Sequence, residues 1–432
     1  MTFLSKAADG IVPGEIVRLD ASRADEILDL ESIVWSSRFP PELNRMNLES
    51  LDFSWAIGVQ VPGAGGGRLA AFASAFSFDT PVPGGRVAVA GLTWVSVRPE
   101  FRRRGYLRAL MARHFEDCRE REVPVSMLFA SKMAIYGRFG YGLGSVGARL
   151  RLPRGAALRE LPGPAPEVEL RFETASFEAH DGFVEAVDRQ AGHGPAARPG
   201  WTGLVTPGLR QLLFVDEPPS DPRLERGRIL MAWREGRPSG YALIRRDDGW
   251  EDGKPVGTAT VRAFQAVDPA SAHRMWRALL DLDLITTVVT PGLAPDDPLL
   301  QWLDEWRDAR PLLIDGEHVR LVDLPAALEA RRYAAPVDLR LAVRDRLLGH
   351  NQAVWRLEGG PDGAQATKAS DFAADAADVV LDVRDLGSLY LGGRSAVSLA
   401  DAGLLAERTP GAAASLARAL RSDRDPGTAH IF

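Results

Sequence analysis

Residues 92–111 read LTWVSVRPEFRRRGYLRALM, and the rest of the chain is best read outward from them. A strand-like run, Val87 to Val97, is stopped by Pro99. After three arginines and a glycine, the spacing predicts a helix over 105–121. Its residues Leu107, Leu110, Met111, His114, Phe115 and Cys118 fall on one apolar stripe, which marks His114 and Cys118 as core residues. A helix start presents unpaired N–H groups and the positive end of the macrodipole. Such an end holds phosphate oxygens. Arg102, Arg103 and Arg104 add charge and bidentate donors. Gly105 lets the backbone approach a ligand with no Cβ in the way. A pyrophosphate is the natural guest. The plainer reading is a solvated charged turn, and the position between strand and helix argues against it. No Gly-Lys-Ser/Thr follows, so this is not a Walker loop, and the three-glycine dinucleotide spacing is absent.

Upstream, Ser22-Arg-Ala-Asp25 resembles a capping box opening a first helix. Runs near 54–61 and 68–78, separated by Gly65 to Gly67, read as a hairpin. Downstream of the helix comes a strand at 125–130, then a short turn carrying Tyr136. The order strand, basic turn, helix, strand is α/β in character. Four prolines (Pro153, Pro162, Pro164 and Pro166) suggest a connection to a second segment. That segment echoes the first: Val267-Asp-Pro269 parallels Val97-Arg-Pro99 before a helix carrying Met275, Trp276, Leu279 and Leu280. The arginines and glycine are missing, so it reads as a duplicated domain that lost its anion-binding turn. The third segment alternates short strands (319–322, 339–343, 353–357) with helices (324–330, 382–390 and an Ala-rich stretch near 396–421).

A chain of 432 residues is expected to form two or three domains. Its net charge of −6 argues against a nucleic-acid binder. The single cysteine, Cys118, excludes an intramolecular disulfide and a thiolate metal site, and no metal is expected. No apolar run of membrane-spanning length occurs, and the N-terminus lacks a secretory pattern. A cytoplasmic location is therefore the expectation.

The stretch 92–111 resembles the acetyl-CoA motif of the GNAT superfamily, and within it the enhanced intracellular survival (Eis) family; AIYGRFGYG at 134–142 resembles the second signature of that family. The resemblance implies an α/β (α+β) chain of two tandem GNAT-like domains and a sterol-carrier-protein-like domain, expected at 1–155, 156–312 and 313–432. It implies acetyl transfer from acetyl-CoA to a small-molecule amine, in a homo-oligomer that is commonly a hexamer. Under it the backbone of Val95, Ser96 and Val97 would hold the thioester and pantetheine. Arg102, Arg103, Arg104, Gly105, Tyr106, Leu107 and Arg108 would hold the pyrophosphate, with Ser131 near the cofactor. Tyr136 would be the general acid, and the terminal carboxylate of Phe432 the general base. The chemistry needs no enzyme nucleophile: a neutral amine attacks directly, and proximity lowers the barrier.

Two departures bear on the acceptor: Trp94 and Tyr106 are bulky beside the turn, and Ile431 brings no charge next to the terminus. Asp25, Glu26, Asp29 and Glu31 are candidates for an amine-facing wall, against the plainer reading of a solvated helix face. Aminoglycosides or polyamines are the expected acceptors. A non-catalytic acyl-CoA or lipid-binding protein and a protein lysine acetyltransferase are the alternatives.

Overall fold

A computed structural model describes residues 14–35, 41–63, 67–163, 167–194, 197–204, 206–215, 225–428 and 430–432. The N-terminal decapeptide, Gly65, Gly66, Pro164 and Pro166 lie outside them. The first segment contributes β1 (Glu15–Arg18), α1 (Ala24–Trp35), α2 (Pro41–Glu49), β2 (Ile57–Val61), β3 (Arg68–Val82), β4 (Gly85–Val97), α3 (Tyr106–Glu120), β5 (Val125–Phe129), α4 (Met133–Tyr136) and β6 (Gly142–Leu143). The expected hairpin is β2–β3, paired antiparallel. The capping box at Ser22 does not form. Asp20 is the cap, accepting from the Ser22 N–H at 2.8 Å, and a 3-10 turn leads into α1.

Alternation along β3 explains the layers. Phe72, Phe76 and Phe78 belong to the core shared with α1, while Ala71, Ala73 and Ala75 belong to the core under α3. Side chains two apart share a face of a strand, and the small alanines let α3 lie close. The stripe on α3 is buried as its spacing requires: Leu110, Met111, His114, Phe115 and Cys118 are each at most 2% exposed.

After β7 (Val146–Arg149) and β8 (Arg151–Pro153), the middle segment repeats the arrangement. Strands 257–266 and 285–289 run parallel around the helix Pro269–Leu280, as β4 and β5 do around α3. The Asp268 carboxylate accepts from the Ser271 N–H at 2.9 Å at the start of that helix. A negative cap thus occupies the place where α3 has an open glycine.

Hydrogen bonding crosses both of the boundaries expected from sequence. β8 joins the middle sheet beside 285–289, and the strand Glu317–Leu321 inserts between β5 and β6 in the first sheet. The strand expected at 319–322 therefore serves the first sheet, not the third. The C-terminal segment forms its own five-stranded sheet, in the order 363–371, 353–360, 337–344, 379–382, 405–407. The Ala-rich stretch is two helices, Ala396–Asp401 and Ala412–Leu420, around the strand Leu405–Glu407. Among the described residues, no helix is long and apolar enough to cross a membrane.

Candidate active site

The site opens where two strands part. β4 and β5 pair only through Val89–Val125, Ala90–Ser126 and Gly91–Met127. Just beyond, Phe72 faces Ser96 while Ser74 faces Thr93, so Trp94 and Val95 together oppose Ala73. Trp94 takes φ of +55° to make this bulge. A bulge bends its strand and re-aims the residues after it. Here it turns the end of β4 toward α3 and α4.

A cavity of about 1240 Å³ fills the opening. Val95, Val97, Arg102, Arg103, Gly105, Tyr106, Leu107, Arg108, Ser131 and Tyr136 line it, so nearly all of the expected site residues converge. Three of the expected residues do not line it: Ser96, Arg104 and Phe432. The Ser96 hydroxyl is turned away and accepts the Trp35 indole N–H at 3.0 Å, and Arg104 packs over the Phe101 ring at 5.4 Å. Arg98 is also withdrawn: it is buried, donates to the Leu69 carbonyl at 2.8 Å and pairs with Asp29.

The mouth of α3 suits an anion. Gly105 has φ of +85°, and a Cβ there would meet nothing within 4 Å. Arg102, Arg103 and Arg108 form no ion pair among the described residues, whereas Arg113 further along α3 is bonded to Asp117 and, at 2.8 Å, to Glu120. Lys132, Arg138 and Arg346 also line the cavity. Lys132 stands just before the second signature and Arg138 within it, so both were open to discovery in the sequence. Arg346 arrives from the C-terminal segment, and no local pattern announced it.

Tyr136 stands where this cavity meets a second one of about 420 Å³. Burial pushes its phenol up to about 12, so it stays protonated and able to donate. Glu31, Trp35, Trp94, Phe129 and Phe432 line the second cavity. Phe432 is not a frayed end. Its ring packs on Phe78 at 4.9 Å, Phe129 at 5.3 Å and Phe76 at 6.4 Å. Gly91 makes room for it, because a Cβ there would stand 2.8 Å from the Phe432 ring. Ile431 and Phe432 also border a third cavity of about 750 Å³, between the first and middle segments.

The parted strands, the open helix N-terminus and the residue pattern around them define an acetyltransferase of the GNAT class, and comparison with known proteins bears this out. Residues 15–144 and 211–321 each match the acetyltransferase (GNAT) domain, and residues 324–428 match the sterol carrier protein domain. The chain is 37% identical over 370 residues to an uncharacterized N-acetyltransferase of Streptomyces avermitilis, covering 83% of this chain and 86% of that protein. It is 32% identical to N-acetyltransferase Eis of Mycobacterium tuberculosis, over 86% of this chain and 88% of that one. Its structure aligns with that of Eis1 from Mycobacterium abscessus at a TM-score of 0.79 and 27% identity, over 97% of this chain and all of that one. The chain belongs to the Eis family of GNAT N-acetyltransferases and is an acetyl-transferring enzyme. The fold implies acetyl-CoA as the donor. The cationic, Cβ-free mouth of α3 and the cavity behind it fit that group.

Proposed function

We propose that this enzyme acetylates primary amines of aminoglycoside-like or polyamine acceptors by direct attack, with Tyr136 as general acid and the Phe432 carboxylate as general base. The observation that carries the reading is the meeting of the two cavities at Tyr136, with the chain terminus at the far wall. Bound acetyl-CoA would supply a thioester carbonyl as electrophile. Arg102, Arg103, Arg108 and the first N–H groups of α3 would hold its phosphates. The parted ends of β4 and β5 would admit its thioester between them, and the acceptor amine would enter from the Phe432 side. The Phe432 carboxylate would take a proton from nitrogen, and the Tyr136 phenol would give one to the leaving sulfur. Positioned proton transfer of this kind contributes about 10²–10⁴-fold. The third cavity, continuous with the second at Trp94, Phe129 and Phe432, gives room for an acceptor larger than a simple amine. A cytoplasmic homo-oligomer, hexameric as in the family resemblance, belongs to the same proposal.

CoA thiol release from acetyl-CoA, followed with a panel of aminoglycosides and polyamines, tests the reading. Acceptor-dependent release should fall by about 10²-fold or more in Tyr136→Phe. Wild-type protein that binds acetyl-CoA yet acetylates none of these amines would defeat it.

A further inference from the structure

The four acidic side chains of α1 have different fates. Asp25 bonds Arg45 at 2.8 Å, Glu26 bonds Arg23 at 2.6 Å, and Asp29 pairs with the buried Arg98. Glu31 instead lines the smaller cavity together with Tyr136 and Phe432. Among the described residues, its buried Oε1 has no hydrogen-bond partner. Acetylating an ammonium removes two protons from one nitrogen, and Glu31 and Phe432 both border this cleft.

We propose that Glu31 is a catalytic residue on the acceptor side, taking the first proton from the substrate ammonium and leaving the second to the Phe432 carboxylate. The inference rests on the acetyl-transfer reading above. The ammonium gives one N–H proton to Glu31. The freed lone pair forms the N–C bond at the thioester carbonyl, and the C–S bond breaks with its electron pair on sulfur. Sulfur takes the phenolic proton of Tyr136, and the second nitrogen proton passes to Phe432. Water reprotonates the phenoxide and both carboxyls discharge to solvent, so one turnover releases one proton.

The surroundings of Glu31 suit this task. Burial is the dominant influence and lifts its carboxyl to about 8. A base works best with a pKa near the working pH, and an ammonium entering beside it favours its charged form. Among the described residues, the elements packed on α1 carry other charges, Glu42 and Glu49 of α2 among them, and none of these lines the cleft. Arg45 of α2 and Arg98 after β4 are committed to Asp25 and Asp29, and Arg68 and Asp79 of β3 pair with Glu100 and Arg86. Tyr136 and Phe432 are the titratable groups that share the cleft with it.

Glu31→Gln keeps the shape and removes the base. Two acceptors separate the roles: an alkyl diamine, cationic at pH 7.5, and methoxyamine, already neutral there. The variant should lose about 100-fold or more in kcat/KM with the diamine. It should stay within a few-fold of wild type with methoxyamine and bind acetyl-CoA unchanged. Its kcat/KM profile with the diamine should also lose a rise centred near pH 8. Unchanged turnover of the diamine, or equal losses with both acceptors, would overturn the assignment of Glu31 while leaving acetyl transfer standing. Wild type inactive with both acceptors would instead remove the transfer reading itself, and this inference with it.

Discussion

Glu317 lies on the strand inserted into the first sheet, is 1% exposed, and has its carboxyl pushed up to about 7 by burial, against the Ser145 hydroxyl that bonds it. Between its usual value near 4.5 and about 7, the folded chain holds a proton that the unfolded chain has lost. Stability from this group is therefore greatest below about pH 4.5 and declines as pH rises to about 7. The cost above that range is at most about 3 kcal/mol. Glu317→Gln should accordingly melt higher than wild type at pH 8 and close to it at pH 4.5, in thermal scans at both. A variant that melts lower at pH 8 would show that the carboxylate is stabilised by something other than Ser145. The same physics makes Tyr136 a persistent donor. Tyr136 was legible because it sits inside a motif. Glu31 was legible only as one of four acids, although a signal existed: it lies four residues after the buried Ile27 and one after the buried Leu30, so it interrupts an apolar stripe. A glutamate on the buried side of a helix is costly unless something meets it.

The N-terminus of α3 and the bulged end of β4 act together. The bulge turns Val95 and Val97 toward the cavity, and Gly105 leaves the helix mouth open. The element predicts different weights for adjacent arginines. Arg103 lines the cavity with no ion pair among the described residues, whereas Arg104 lies over Phe101. Arg103→Ala should raise the Kd of acetyl-CoA about tenfold, equivalent to ~1.4 kcal/mol, with weaker salt dependence. Arg104→Ala should leave it within about twofold, since its charge is not aimed at the cavity. Calorimetry of acetyl-CoA binding to both variants checks the contrast, and equal losses would reject it. The strand, the helix and their order were all visible in periodicity. The positive φ at Trp94 was not, because nothing in the local pattern of a large aromatic residue asks for a left-handed conformation.

Residues of the middle segment hold the C-terminal tail beside the candidate site. Arg198 pairs with Asp296 and donates to the Asp425 carbonyl at 2.9 Å. The Thr428 hydroxyl accepts the Thr202 N–H at 3.1 Å, and His430 lies 3.3 Å from Asp188 and 3.2 Å from the Tyr241 hydroxyl. Arg198→Ala should loosen this clamp, lowering kcat at least tenfold while leaving acetyl-CoA affinity unchanged, as steady-state kinetics and calorimetry on one preparation would show. Full activity in the variant would mean that the aromatic contacts of Phe432 suffice to seat it. By itself, the sequence determined the local matters: the α3 stripe, the basic turn, the duplicated strand–helix unit and the order of three domains. These follow from periodicity and from residues next to one another in the chain. Only the tertiary structure decided that β8 and strand 317–321 cross between sheets, that Arg346 faces the first domain's cavity, and that Gly91 makes room for the ring of Phe432. Those pairings join residues far apart in the chain, and they are set by which sheet edge, cavity or aromatic surface remains to be covered once the local elements have formed.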